Sequence, residues 1–297
     1  MASDSITPRP FSENPTAMCG IEFVEFVTRS PDAAGGALIK LGFHAIAQHR
    51  SRRVYLYRQG ALNLIVNADQ DTLDGLTLQE GEVSLNAVAF RVKDAGRAYK
   101  LLVDLGAWPI QTRASTMELN IPGIHGIGDA VLYLVDRYQD FSIYDVDFSY
   151  YDEVPRHPPN LIDGLHFFGL VHYVGVGRVE SWIDFYRQLF GFSVLPTEQR
   201  FGILPKGVLL QSPCKLFYLQ LIPPDDGAIW DIAWDEHFAR LAFGVPDVQA
   251  AVTLLDARGV PFEERERVHV TEKGALTQNL FGGMNFELVL SRPDVSV

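Results

Sequence analysis

Two cysteines, Cys19 and Cys214, are all that a chain of 297 residues contains. That is too few for a disulfide framework, and the pair lacks metal-ligand spacing, so both are read as small apolar or neutral fillers. Basic residues are also scarce: 25 Lys and Arg stand against 37 Asp and Glu, a formal charge of -12 with a pI near 5.1. Such a balance argues against nucleic acid and anionic membrane surfaces as partners. No apolar run reaches the roughly 20 residues that cross a bilayer, and residues 1–15 have neither the basic nor the apolar region of a signal peptide. A soluble cytoplasmic protein is expected. What the chain does have is 47% hydrophobic residues and a mean hydropathy of +0.04, the composition of a globular protein. Its length allows two ordinary domains, each with its own core.

After residues 1–18, where Pro8, Pro10 and Pro15 among Ser, Thr and Asn predict a flexible tail, one pattern occurs four times. A strand leads to a helix that closes on glycine, and further strands follow. The first copy has a strand at residues 21–27, a helix ending at Leu41-Gly42-Phe43, and strands at 54–57 and 62–66 about a Gln59-Gly60 turn. The second runs from residues 86–92 through Tyr99, Leu102 and Leu105 to Gly106, with a strand near 130–134. The third runs from residues 170–174 through Trp182, Phe185, Tyr186 and Leu189 to Gly191. The fourth runs from residues 241–245 through Val252 and Leu255 to Gly259. Glycine suits each helix end because it tolerates the left-handed backbone of a C-cap. A period of roughly 60 to 85 residues exceeds that of a solenoid and predicts duplicated small domains. Strand-helix-strand-strand-strand is the unit of the vicinal oxygen chelate fold. The predicted class is therefore α+β, with two such domains, each made of two βαβββ units curling a sheet around a cavity. The domains are placed at residues 19–152 and 161–297, joined by a linker at 153–160 that holds Pro155, Pro158 and Pro159.

Particular residues then carry a resemblance. Gly20-Ile21-Glu22-Phe23-Val24-Glu25-Phe26, His49-Arg50-Ser51, Tyr55-Leu56-Tyr57-Arg58-Gln59-Gly60 and Asn63-Leu64-Ile65 are similar to the amino-terminal domain of bacterial 4-hydroxyphenylpyruvate dioxygenases. The likeness continues through Ala89-Phe90-Arg91-Val92-Lys93-Asp94, Met117-Glu118-Leu119-Asn120-Ile121-Pro122 and Ser142-Ile143-Tyr144-Asp145-Val146-Asp147-Phe148. The second half keeps the helix pattern of Trp182, Phe185-Tyr186 and Phe190-Gly191-Phe192.

The resemblance implies an iron site in the carboxy-terminal domain only, with a histidine on the first strand of each unit and a glutamate on the last. Two imidazoles and a carboxylate on one face of the metal leave the other face open to substrate and dioxygen. Carried onto this chain, the first ligand position is Gly169 in Phe168-Gly169-Leu170, and the second is Arg240 in Arg240-Leu241-Ala242-Phe243. The third, Glu287 in Asn285-Phe286-Glu287-Leu288, matches. Gln278 falls where the family has a glutamine near the substrate. Pro205 replaces a substrate-contacting serine, and Leu219-Gln220-Leu221-Ile222 lacks the family's asparagine. The residues after Glu287 are not expected to form the helix that covers the site in relatives.

One carboxylate holds ferrous iron weakly, so no metal is the expected condition, with iron(II) as the alternative. That alternative uses His166 and His237, each three residues before a lost ligand, together with Glu287. An odd displacement reverses the face of a strand, so both strands would need a bulge. His172 is read as packed or at the rim; His44, His49, His125, His157 and His269 as surface or locally bonded. Arg240 has three readings: it pairs with Glu287 in space left by Gly169, it grips a ligand carboxylate, or it snorkels to the cavity mouth. Replacing Gly169 and Arg240 by histidine is expected to rebuild the triad. Three functions follow. The leading one is a metal-independent enzyme or binding protein for a small aromatic or 2-oxo acid in the C-terminal cavity. The others are an iron(II) dioxygenase of an aryl 2-oxo acid and a non-catalytic structural or regulatory relative. The resemblance also implies a homo-oligomer.

Overall fold

Each of the four repeats forms one βαβββ unit or a reduced form of it in the computed structural model, which describes residues 13–111, 118–198, 201–202, 207–224, 236–265, 268–280 and 282–292. The first unit is β1 (Met18–Thr28), α1 (Pro31–Lys40), β2 (His44–His49), β3 (Val54–Gln59) and β4 (Leu62–Asn67), followed by a short α2 (Gln70–Leu73). The second is β5 (Val83–Val92), α3 (Ala95–Asp104), β6 (Gly123–His125) and β7 (Val131–Val135), and then α4 (Ile143–Asp147) and β8 (Phe148–Tyr150). The third is β9 (His166–Tyr173), α5 (Val179–Phe190), β10 (Ser193–Val194), β11 (Val208–Gln211) and β12 (Tyr218–Ile222). The fourth is β13 (His237–Val245), α6 (Val248–Asp256), β14 (Gly274–Leu276) and β15 (Asn285–Leu290). In units two and four the strand after the helix is reduced to a single bridge, Pro109 to Ile124 and Phe262 to Thr277.

Local chemistry explains the helix limits. Asp94 and Asp247 occupy the same place in their units, and each accepts a hydrogen bond from the third amide beyond it, Arg97 N at 2.8 Å and Ala250 N at 2.9 Å. At the other end Gly42, Gly106, Gly191 and Gly259 all have φ between 79 and 95°. The next amide then turns back to bond the last helical turn, as Phe43 N does to Leu38 O and Val260 N to Leu255 O.

In every unit the last strand pairs parallel with the first: β4 on β1, β7 on β5, β12 on β9 and β15 on β13. First strands pair antiparallel, β1 with β5 and β9 with β13, so each half is a curled sheet of two units. The pair Phe238 and Leu85 alone links the two sheets in register. The helices and the outer sheet faces bury one large core. Leu38, Leu102, Tyr186 and Leu255, one from each repeat's helix, all belong to it. Rings cross between the halves within it, Phe43 with Phe243 at 5.9 Å and Phe90 with Phe190 at 5.6 Å. Separate cores were the expectation; the helices instead lie between the two sheets and make one. The inner faces bury two smaller clusters, one around Phe23, Leu56 and Phe148, the other around Phe168, Ala242 and Val289.

Two boundary expectations change. Residues 14–18 are not part of a free tail: Asn14 brackets Met18 with two 2.8 Å bonds, Thr16 and Met18 are buried, and β1 begins at Met18; residues 1–12 lie outside the described residues. Residues 153–160 also do not hang free, since Gly60 N donates to Pro158 O at 2.8 Å and Arg58 Nη1 to Arg156 O at 2.7 Å. Pro205 lies outside the described residues.

Candidate functional site

Four adjacent strands of the C-terminal half bring most of the expected site to one face. Glu287 on β15 is in register with Ala242 on β13, Ala242 with Gly169 on β9, and Gly169 with Tyr218 on β12. Residues directly opposite one another point to the same side, so these four form a row across the inner face. Arg240 precedes Ala242 by two residues and shares that face. Both charged residues are buried, Glu287 at 4% exposure and Arg240 at 6%.

The expected direct ion pair does not form. The Arg240 guanidinium lies over the Tyr173 ring, 5.9 Å from its centroid. It therefore runs along the sheet away from the row that holds Glu287, whose carboxylate abuts the backbone of Gly202. Nor does Gly169 open a space. A Cβ there would sit 2.5 Å from the carbonyl oxygen of Tyr218, so the glycine is what lets β12 close on β9. Phe168, Phe201 and Tyr218 then fill the face, with ring centroids 4.8 to 5.2 Å apart, and leave a cavity of about 20 Å³ beside Glu287. That is room for one water. Gln220, also on this wall, was not singled out as a site residue in the sequence. Gln278 does not reach it: its amide donates to Phe262 O at 2.8 Å on an exposed turn.

The alternative metal set is not assembled either. Bulges do occur, at Phe168 in β9 and Ala239 in β13, and they remove the objection from strand parity. Antiparallel pairing nevertheless sets His166 opposite Gly244 and His237 opposite Tyr173. Those positions on β13 are seven residues apart (244 − 237), roughly 20 Å of strand. His166 is also committed, its Nδ1 2.9 Å from Gly164 O and its Nε2 3.1 Å from Ser291 Oγ. Among the described residues no three His, Cys, Asp or Glu side chains are grouped to hold a metal, so the donors that iron needs do not fit here.

His172 is packed, as expected, though more deeply than a rim position. It is fully buried, its ring lies 4.0 Å from Phe238, and neither nitrogen has a hydrogen-bond partner. Burial lowers its pKa to about 3, with a smaller push from His237.

A larger cavity than the one beside Glu287 lies in the N-terminal half, on the face that corresponds by duplication to the row just described. It has a volume of about 340 Å³ and is lined by Phe23, Tyr133 and Phe148 with Glu25, Asn67 and His49. His49 is locally bonded, as expected, with Ser51 N donating to its Nδ1 at 3.3 Å, and it also forms part of a cavity wall. Its ring lies edge-on to Phe148 at 5.3 Å, and burial lowers its pKa. Glu25 is 9% exposed, and burial raises its pKa against the opposing bonds from Asn67 and Asn86. A signal for this site was available: Glu25 and Asn67 are polar residues two places from the apolar Phe23 and Ile65 on the inward-facing side of their strands.

Paired βαβββ units with an inner cavity in each half define a protein of the glyoxalase and dioxygenase type. Residues 12–149 match the family model for the N-terminal domain of hydroxyphenylpyruvate dioxygenase. Residues 166–282 match that of the glyoxalase, bleomycin resistance protein and dioxygenase superfamily. The chain is 37% identical over 267 residues to 4-hydroxyphenylpyruvate dioxygenase of Pseudomonas aeruginosa, covering 84% of this chain and 72% of that one. It is 43% identical over 182 residues to the 4-hydroxyphenylpyruvate dioxygenase of a Pseudomonas species, a match covering 61% of this chain and half the length (50%) of that relative. A mutant 4-hydroxymandelate synthase from Streptomyces coelicolor shares the fold, with TM-score 0.74, 16% identity and 95% of each chain covered. The chain belongs to the 4-hydroxyphenylpyruvate dioxygenase family. No helix among the described residues is long and apolar enough to cross a membrane.

Proposed function

We propose that this family member binds or transforms a small aromatic or 2-oxo acid on the inner face of its C-terminal half, without iron-dependent oxygenation. Gly169 and Arg240 stand where the family's two imidazoles would meet Glu287, and neither can ligate a metal. The observation that carries the reading is Arg240. A guanidinium keeps its charge when buried, and a buried charge is costly unless an anion meets it. Arg240 is 6% exposed, and its contact among the described residues is the Tyr173 ring, with no carboxylate partner. A ligand carboxylate would supply that partner through the guanidinium fork, and its ring would replace the Phe201 ring between Phe168 and Tyr218. The cavity beside Glu287, about 20 Å³, is smaller than such a ring, so this reading requires the Phe201 ring to move aside when the acid binds.

The test uses the full chain, loaded anaerobically with ferrous iron and then desalted. Far less than one iron per chain is expected, with no oxygen uptake on 4-hydroxyphenylpyruvate. Calorimetry with 4-hydroxyphenylpyruvate and 4-hydroxyphenylacetate should detect binding that Arg240→Ala abolishes. Stoichiometric iron with substrate-dependent oxygen uptake would establish the dioxygenase instead, and absence of any acid binding would leave a structural or regulatory relative.

A further inference from the structure

We propose that the inner cavity of the N-terminal half is a second ligand site, built for a small aromatic amine whose ammonium pairs with Glu25 and whose ring lies against Phe23, Tyr133 and Phe148. The volume, about 340 Å³, is in the range of small-molecule pockets and would admit a substituted benzene ring with a short side chain.

The choice of an amine rests on where the charges are. Glu25, Asp71, Glu118 and Asp147 line the cavity, and Arg52 is the one lysine or arginine among its described lining residues. Arg52 is already engaged: its Nε and Nη2 donate to the two oxygens of Glu118 at 3.1 and 2.7 Å, and Nη1 lies 3.8 Å from Asp69. His49 stays neutral because burial holds its pKa below the ordinary value. Among the described residues, an anionic ligand would meet carboxylates on several sides with no cation released to receive it.

Glu25 gives the site its polar end. It sits on β1 in register with Ile65 and Ala87, so its side chain enters the inner face between apolar neighbours. Both amide donors near it bond a single oxygen: Asn67 Nδ2 reaches Oε1 at 3.3 Å and Asn86 Nδ2 reaches it at 3.4 Å. Oε2 receives no protein donor among the described residues. A carboxylate that is nine-tenths buried, with one oxygen bonded and the other turned to an aromatic-walled cavity, is matched by an ammonium group that donates to the second oxygen. The aromatic walls favour the same ligand, because ring faces attract cations as well as rings.

Three probes with the same 4-hydroxyphenyl ring isolate the charge: tyramine, 4-ethylphenol and 4-hydroxyphenylacetate, each titrated into the full chain by calorimetry and observed by methyl NMR. Tyramine should bind at least tenfold more tightly than 4-ethylphenol and shift the methyl signals of Ile65, Ile121 and Ile143. Glu25→Gln should weaken tyramine at least tenfold and leave 4-ethylphenol within twofold. The NMR arm needs no variant and holds even should Glu25→Gln fail to fold. The proposal is overturned if 4-ethylphenol binds as well as tyramine, if tyramine shifts methyls only outside this cavity, or if folded Glu25→Gln binds tyramine unchanged. Acid binding governed by Arg240 is a separate readout, so either site can fail without the other.

Discussion

At the scale of single residues, His172 is the sharpest conflict between packing and polarity. Its ring fills space against Phe238 and Tyr186, and both ring nitrogens go without partners. Such a histidine folds only as the neutral form. Its folded pKa, about 3, lies below the ordinary 6.5, so the unfolded chain takes up a proton that the folded chain refuses. Stability is therefore undiminished above pH 6.5 and falls as the pH drops below it, by up to about 1.4 kcal/mol per pH unit. Replacing His172 by Phe keeps a flat ring there, somewhat larger, and removes the group that titrates. The difference in stability between His172→Phe and the parent, from urea melts at pH 5 to 8, should favour the variant increasingly as the pH falls. A constant difference would mean that His172 is not held neutral. Nothing in the sequence marks this residue as buried without partners, because Val171-His172-Tyr173 reads equally well as a packed or a rim position.

At the scale of elements, the strands and helices were legible because their signals are local. Terminal glycines and inward apolar positions recur in each unit, and capping aspartates in the second and fourth. The spacing between strands was not. Gly169, Arg240 and Glu287 do share a face, which the family pattern implies, yet how closely β12 approaches β9 depends on a carbonyl of Tyr218 far along the chain. That contact reverses one expectation. Histidine at position 169 was expected to rebuild a metal triad with Arg240→His, but the first side-chain atom would lie 2.5 Å from that carbonyl oxygen. Overpacking of this kind costs roughly 1–3 kcal/mol. Gly169→His should therefore lower the urea midpoint by a corresponding amount, and the double variant should not bind one iron per chain. A double variant as stable as the parent with stoichiometric iron would show that β12 gives way easily. The bulges at Phe168 and Ala239 were equally hidden, since an extra strand residue shows only against its partner.

At the scale of the whole molecule, duplication predicts two domains, and two family models do match the two halves. Duplicated sheets do not make independent folding units here, because the surface each half would need to bury alone is buried against the other. Leu38 and Leu102 from the first half and Tyr186 and Leu255 from the second lie in the same core, and Phe26 meets Phe286 across it at 6.1 Å. Exposing a buried side chain of this size costs about 1.5–3 kcal/mol. A half cut from the chain exposes many of them, whereas an ordinary domain is stable by only about 5–15 kcal/mol in total. The full chain should thus unfold in a single transition, with calorimetric and van't Hoff enthalpies in agreement. A fragment of residues 12–152 expressed alone should bind a hydrophobic dye and lack a cooperative melt. Two resolved transitions, or a fragment melting as sharply as the full chain, would show that the shared core adds little and that each sheet holds itself.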